Sequence, residues 1–128
     1  MFRCIKILGE VLERLDSASR NGHSPFATLI AKEKNNKQTI QIAVDAHNPG
    51  VYCLNVPELT SEAYREVRRL LSQKCGEKFV ADTPPSDMSF GYLTVTVTRD
   101  NVIDLVISLL EKMGFSTDLT LMLEEFTE

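Results

Sequence analysis

The sequence has no tryptophan and little of what catalytic and metal-binding motifs are built from. Its 128 residues include 2 histidines and 3 cysteines, and no two cysteines stand in a C-x-x-C spacing. A zinc knuckle therefore has no ligand set, and an odd number of cysteines does not suggest a disulfide framework. The 6 glycines stand singly, so no glycine-rich loop is available to cradle a phosphate. We accordingly expect no cofactor, no metal ion and no enzymatic activity.

The charge balance is acidic and the apolar segments are short. Lys and Arg number 14 against 18 Asp and Glu, for a net charge of -4 at pH 7. An acidic chain has no general attraction for the phosphate backbone of nucleic acids. The most apolar segment, residues 102–110, contains Asp104 and is too short to cross a bilayer. Because three unpaired thiols suit a reducing compartment, we predict a cytoplasmic protein that binds neither nucleic acid nor membrane.

The hydrophobic pattern predicts three helices and five strands in a single domain, residues 1–128. Apolar residues at spacings of three and four predict helices over residues 1–15, 60–75 and 100–113. Alternation and β-branched content predict strands over residues 26–34, 40–45, 51–56, 79–82 and 90–98. The order is α-β-β-β-α-β-β-α, followed by a C-terminal tail. We therefore predict an α+β fold in which helices pack on an antiparallel sheet of about five strands.

Capping residues mark the ends of two predicted helices. Thr60 or Ser61 is placed to cap the second helix, and Asp100 is placed to cap the third. Gly76 and Gly114 stand just past the last apolar residue of each, where a left-handed conformation commonly ends a helix.

The tail, and residues 117–126 in particular, fits two conformations. Leu119, Leu121 and Leu123 alternate as in a strand, whereas Met122, Leu123 and Phe126 with Leu119 have helical spacing. As a strand inside the sheet, the tail would complete a ferredoxin-like order that begins at residue 51. A helix or a free tail would favour the first architecture alone.

The third helix is apolar over more of its circumference than one sheet can cover. Its polar residues mostly form a narrow stripe, while a helix lying on a sheet needs an apolar arc of about 100° or somewhat more. A second surface must therefore cover the remainder, either the tail or another copy of the chain. The second alternative predicts a homodimer with an interface formed by Ile103, Val106, Ile107 and Leu110.

The last predicted strand before that helix has one polar, β-branched face. Leu93, Val95 and Val97 form its apolar face. A partner could cover the opposite face, and an extended segment there gains main-chain and side-chain contacts together. The predicted partner-binding residues are Tyr92, Thr94, Thr96 and Thr98.

Two side-chain clusters are candidate functional sites. Asp45, His47 and Cys53 lie around one predicted turn and could form a nucleophile arrangement, but a free cysteine in the middle of a strand usually packs as a small hydrophobe. Three arginines on the second helix, at positions 65, 68 and 69, stand among glutamates, which predicts a solvated, salt-bridged face. We therefore assign no catalytic residue.

With this order of elements, the chain resembles the class I chaperones of type III secretion systems. The resemblance covers roughly residues 1–113 and includes the hairpin around Asn35-Asn36 and the run Gly91-Tyr92-Leu93 before the last helix. It also includes the apolar stripe of the first helix, formed by Ile5, Leu8, Val11 and Leu12. Pro84 and Pro85 depart from it, since they stand where the family has a leucine-containing strand. The resemblance implies a small homodimer that holds an extended segment of a partner on its sheet and first helix.

These observations predict a non-enzymatic protein-binding module, a small acidic homodimeric chaperone or adaptor for another protein. The alternative is a ferredoxin-like domain that binds a small molecule or has a regulatory role. The conformation of the tail distinguishes the two, because a strand within the sheet favours the ferredoxin-like alternative.

Overall fold

The computed structural model describes residues 2–45, 47–116 and 119–128. Within these ranges the chain forms three α-helices: α1 (Phe2–Arg20), α2 (Ser61–Cys75) and α3 (Arg99–Lys112). Six strands complete it: β1 (Phe26–Glu33), β2 (Asn36–Val44), β3 (Val51–Leu59), β4 (Val80–Thr83), β5 (Gly91–Thr98) and β6 (Leu121–Thr127). A 3-10 turn at Glu77–Phe79 connects α2 to β4.

The strands form one antiparallel sheet in the order β4-β5-β3-β2-β1-β6. The predicted α+β fold, with helices on an antiparallel sheet, is confirmed. The sheet has six strands rather than about five because the tail supplies β6, which lies at the edge beside β1.

A β-bulge explains why the tail resembled both a strand and a helix. Leu121 pairs with Ala31 and Leu123 pairs with Leu29, but the register then shifts by one residue, so that Phe126 pairs with Ala27. The bulge keeps residues 121, 123 and 126 on the helix-covered side although their spacing is two and then three. Strict alternation is therefore lost, and the sequence acquires a spacing that a helix would also show.

The sheet order differs from a ferredoxin-like arrangement even though the tail is a strand. In the ferredoxin-like order the last strand would pair with β3, whereas here β2 and β1 lie between β3 and β6. The unit β3-α2-β4 with β5 between its strands is a split βαβ unit, so the resemblance is limited to that part of the sheet.

All three helices lie on one face of the sheet. The strand residues under them are fully buried, among them Leu29, Ile42, Leu54 and Val95. α3 contacts both α1 and α2 as well as β3 and β5. The two flanking helices therefore cover much of the apolar arc of α3, a cover that was not among the predicted alternatives.

Several element boundaries differ from the predicted ones for local reasons. α1 continues to Arg20 because Ala18 is still buried on its apolar side, so the following loop starts at Asn21 rather than at Ser17. The β1–β2 turn consists of Lys34 and Asn35, since Asn36 already pairs with Glu33.

The predicted cap of α2 is confirmed and that of α3 is wrong. The Thr60 hydroxyl accepts a hydrogen bond from the Ala63 N–H at 3.3 Å. Thr98 occupies the N-cap position of α3, and Asp100 lies in the first turn, where its negative charge favours the helix dipole instead.

A polar contact at Asp16 ties α1 to the sheet and to the start of α3. The hydroxyl of Tyr52, a fully buried residue of β3, donates to the Asp16 carboxylate. The Arg99 Nε donates to the other Asp16 oxygen at 2.8 Å. One carboxylate therefore joins three elements that are distant in sequence.

We expect Asp16→Ala to lower the free energy of unfolding by about 1–3 kcal/mol, because it leaves the buried Tyr52 hydroxyl without its acceptor. Urea denaturation measures the change. Glu13→Ala is the matched control, an exposed carboxylate on the same helix. Equal losses in the two variants would contradict the role of Asp16.

Candidate functional site

Strand β5 is longer than the strand beside it, and this leaves part of its outer edge unpaired. β4 pairs with residues 92–95 of β5 and begins at Val80, opposite Val95. Before Val80 the chain forms the 3-10 turn at Glu77–Phe79 instead of continuing the strand. Beyond Val95, no strand of the described chain therefore pairs with this edge of β5.

The backbone of Thr96 faces that unpaired edge. The Arg99 N–H donates to the Gly50 carbonyl on the β3 side at 3.0 Å, and Val97 lies opposite Tyr52 in the same register. In an antiparallel pair, successive residues present their N–H and C=O groups to alternate sides. Thr96 therefore directs both its donor and its acceptor away from β3, toward Phe79, which precedes Val80 and lies opposite Thr96 in the register of β4.

A groove of about 360 Å³ lies along this edge, between the end of α2 and the start of α3. We call it the β5-edge groove. Its apolar wall is formed by Cys75, Phe79, Val97 and Leu105. Phe79 is 45% exposed, a large fraction for an aromatic side chain, and the Lys78 ammonium lies 5.0 Å from the centroid of its ring. Thr96 and Thr98, two of the predicted partner-binding residues, also line the groove.

Charged groups of opposite sign stand on the two sides of the β5-edge groove. Lys74 comes from the last turn of α2, and Asp104 comes from α3. Both side chains are exposed, and the described ion pairs include neither of them. The groove therefore combines an apolar wall with one charge of each sign.

Cys75, in the groove wall, has a thiol whose pKa is raised. Burial raises its pKa, while the nearby Lys74 lowers it by less. The thiol therefore stays protonated at neutral pH, and protonated thiols are poor nucleophiles.

The wall that carries Phe79 is held by a cluster around Arg68. The Arg68 guanidinium binds Glu77 in the 3-10 turn and Asp82 in β4, with Nε 3.2 Å from the Asp82 carboxylate. The Tyr64 hydroxyl donates to the same Asp82 side chain. The predicted salt-bridged face of α2 is present: Arg69 lies 3.8 Å from Glu66 within the helix, whereas the partners of Arg68 follow the helix in sequence.

The four predicted partner-binding residues all lie on the face of the sheet opposite the helices, which we call the open face. Tyr92 is 45% exposed, Thr98 is exposed, and Thr94 and Thr96 are half-buried. The Thr94 hydroxyl donates to the Asn55 side chain at 3.2 Å, which in turn donates to Gln41 at 2.9 Å. Neighbouring strands thus satisfy one another's polar groups across this face.

The four predicted dimer-interface residues do not form an exposed patch. Val106 and Leu110 are 0% and 4% exposed, because they pack inside the chain against the core. Ile103 and Ile107 are half-buried. Two of the four residues predicted to form an interface on α3 are therefore buried in the chain's own core.

Asp45, His47 and Cys53 are not assembled into a nucleophile arrangement by the described contacts. The Asp45 carboxylate accepts the backbone N–H of His47 at 2.9 Å and the side-chain amide of Asn48 at 3.1 Å, and these bonds lower its pKa. The Asp45 side chain therefore stabilises the turn that contains His47 and Asn48. Cys53 is half-buried on the open face, opposite Ala43. No group of three or more metal-ligating side chains occurs in the part of the chain that the structure describes.

The groove was not predicted because its walls come from three separate elements. Phe79, Lys74 and Asp104 carry no motif, and their proximity depends on how α2 and α3 end and begin over β5. One signal was present in the sequence: the predicted strand over residues 79–82 is half the length of the strand over residues 90–98, so an overhang had to exist.

We expect Arg68→Gln to weaken the loss of stability in acid. Arg68 lowers the pKa of Glu77 below its ordinary value of 4.5, and together with Tyr64 it lowers the pKa of Asp82 below 3.8. Carboxylates with a lowered pKa stabilise the fold above their ordinary pKa, and this contribution is lost as the pH falls through the folded-state value. Removing Arg68 should therefore flatten the decline of the urea midpoint between about pH 6 and pH 3. Arg65→Gln on the same helix should leave the slope unchanged, and equal slopes in all three proteins would contradict the prediction.

We expect native Cys75 to react with iodoacetamide far more slowly than a free thiol at pH 7.5, because its pKa is raised. Mass spectrometry of the digested protein measures the labelled fraction at each cysteine. Labelling of Cys75 as fast as in the urea-unfolded chain would show that the groove wall does not bury it.

No helix among the described residues is long and apolar enough to cross a membrane. In comparisons with known proteins, no protein-family model matches the chain, and no curated protein matches it.

Proposed function

We propose that this protein is a non-enzymatic protein-binding module, a small acidic chaperone or adaptor that holds an extended segment of another protein in the β5-edge groove. The observation that carries the proposal is the groove at the end of β5, with the exposed Phe79 in its apolar wall and an unpaired charge of each sign at its sides. A cytoplasmic location, expected from the unpaired thiols, is part of the proposal.

An extended segment can complete the edge that β4 leaves open. Placed beside the end of β5, it would pack against the exposed Phe79 side chain and hydrogen-bond to main-chain groups of β5 past Thr96. Main-chain hydrogen bonds of this kind supply affinity without regard to sequence, while side-chain pockets supply specificity. Three residues of β5 extend past Val95, a length of roughly 10 Å at the usual rise per residue. The groove therefore suits a short strand and not a folded domain.

The residues that line the groove also indicate which side chains a bound segment would carry. Side chains of an added strand alternate between the helix side and the open side of the sheet. The side chain on the helix side would pack against Phe79 and Leu105, so we expect it to be apolar. Asp104 on one side and Lys74 on the other favour a basic and an acidic flanking residue, respectively. The element order, which resembles that of chaperones for secreted proteins, implies the same kind of extended partner.

Selection from a random peptide display library against the native protein, followed by measurement of Kd by fluorescence anisotropy, tests the proposal. We expect selected peptides to carry an apolar residue with charged flanks. Asp104→Lys and Phe79→Ala should each weaken their binding by about tenfold, the effect of about 1.4 kcal/mol. Glu111→Lys is the control, with the same charge change at an exposed position of α3 outside the groove. Peptides that bind all three variants alike, or a library without binders, would overturn the proposal.

The second candidate function is binding of a small molecule in the same groove. Its volume of about 360 Å³ lies within the range of small-molecule sites, roughly 300–1,000 Å³. This candidate corresponds to the predicted alternative, a domain that binds a small molecule or has a regulatory role. A fragment that raises the melting temperature of the native protein but not of Phe79→Ala, in the absence of peptide binding, would favour it.

A further inference from the structure

The open face of the sheet carries almost no charge. The register places on this face Ala81 and Thr83 of β4, the four even-numbered residues 92–98 of β5, Val51, Cys53 and Asn55 of β3, Thr39, Gln41 and Ala43 of β2, Phe26, Thr28 and Ile30 of β1, and Met122 of β6. Its charged residues stand at the margins: Lys32 and Lys37 beside the β1–β2 turn, and Glu125 on the outermost strand. A face that only meets water has no need to exclude charge from its centre, whereas the cores of protein interfaces are depleted of it.

Large apolar side chains are exposed on the same face. Tyr92 and Met122, on strands near opposite edges of the sheet, are 45% and 48% exposed. Phe90, which leads into β5, is 62% exposed. Aromatic residues and methionine are enriched at protein interfaces. The open face thus has an uncharged centre, exposed apolar anchors and charges at its rim.

We infer that the open face is the interface of a homodimer in which the sheets of two copies stack face to face. The groove shares Val51, Thr96 and Thr98 with this face, but its apolar wall belongs to the helix side, so the inference does not depend on the proposed function. It also replaces α3, which packs against the chain's own core, as the dimer surface.

The size and shape of the face favour a second copy over an extended segment. Six strands at about 4.8 Å, over some seven residues at about 3.3 Å, give a flat area of roughly 650 Å². A stable interface buries about 800 Å² per partner, which this area approaches before side-chain relief is counted. A single extended chain would cover one strand's width and leave most of the face in water. Two sheets of identical twist, by contrast, stack closely when their strands cross at about 30°.

The charge distribution also permits self-association. The chain carries a net charge of -4, so two copies repel each other through most surfaces, and a neutral face minimises that repulsion. A two-fold axis parallel to the strands, between β2 and β3, would lay β5 of one copy over β1 of the other. Tyr92 would then meet Ile30 of the partner subunit, and Cys53 would lie close to the axis.

Cys53 provides a native probe of this interface. It is half-buried in the single chain, so it should react with iodoacetamide at low protein concentration and become protected as the dimer forms. Cys75, on the helix side of the sheet, is the internal reference and should keep a constant rate. We expect the ratio of Cys53 to Cys75 labelling to fall with rising concentration, in step with the mass measured by sedimentation equilibrium.

Thr94→Arg places a charge near the centre of the face, and we expect it to raise the dimer dissociation constant at least about tenfold. Ser17→Arg, at an exposed position of α1, should leave it unchanged. Circular dichroism of each variant verifies that the fold is intact. If Thr94→Arg proves unfolded, the Cys53 labelling of the native protein decides alone.

Three results would overturn the inference. These are a native protein that stays monomeric at high micromolar concentration, a dimer in which Cys53 remains reactive, and a folded Thr94→Arg variant that dimerises like the native chain. None of them affects peptide binding in the groove, so failure of the dimer and failure of the proposed function are distinguishable.

Discussion

The packing of three helices on a single face of one sheet is the constraint on which the rest of the structure depends. Most of the burial is on that side, where alternate residues of the strands are shielded by α1, α2 and α3. The opposite side has to be stable in water or be covered by something outside the chain. Its uncharged centre and exposed aromatic side chains are features that the cores of protein interfaces share.

Two groups of polar side chains, which we call clamps, hold the helices in place. Their hydrogen bonds and ion pairs are directional, whereas apolar packing is not. Asp16 joins α1, β3 and the start of α3 through Tyr52 and Arg99. Arg68 and Tyr64 join α2 to the 3-10 turn and β4 through Asp82 and Glu77. Because the second clamp holds the 3-10 turn that carries Phe79, it also positions one wall of the groove. A contact that stabilises the fold thereby shapes the candidate site.

The groove and the open face use the same sheet in different ways. The groove presents an apolar wall beside the end of a strand, which suits a short extended segment. The open face presents side chains over a broad surface, which suits another sheet. Since one lies at the rim and the other across the middle, a dimer would carry two grooves, and each copy would hold its own segment.

Much of the fold was decided locally and could be predicted from the sequence. Alternation in β5 and the cap at Thr60 depend on neighbouring residues, so both were predicted. The bulge in β6 was not, because it is set by pairing with β1, whose residues are about a hundred positions away. The cap of α3 was misplaced by two residues because β5 runs directly into the helix.

The sequence by itself determined the class of fold, the order of its elements and the lack of catalytic motifs, since these follow from periodicity and residue type. Only the tertiary structure decided what covers α3, because burial depends on which helices become neighbours on the sheet. It alone brought Lys74, Phe79 and Asp104 to one groove, since their elements meet only when α2 and α3 pack over β5. It likewise revealed the neutral face, which depends on the register of six strands rather than on the composition of any one of them.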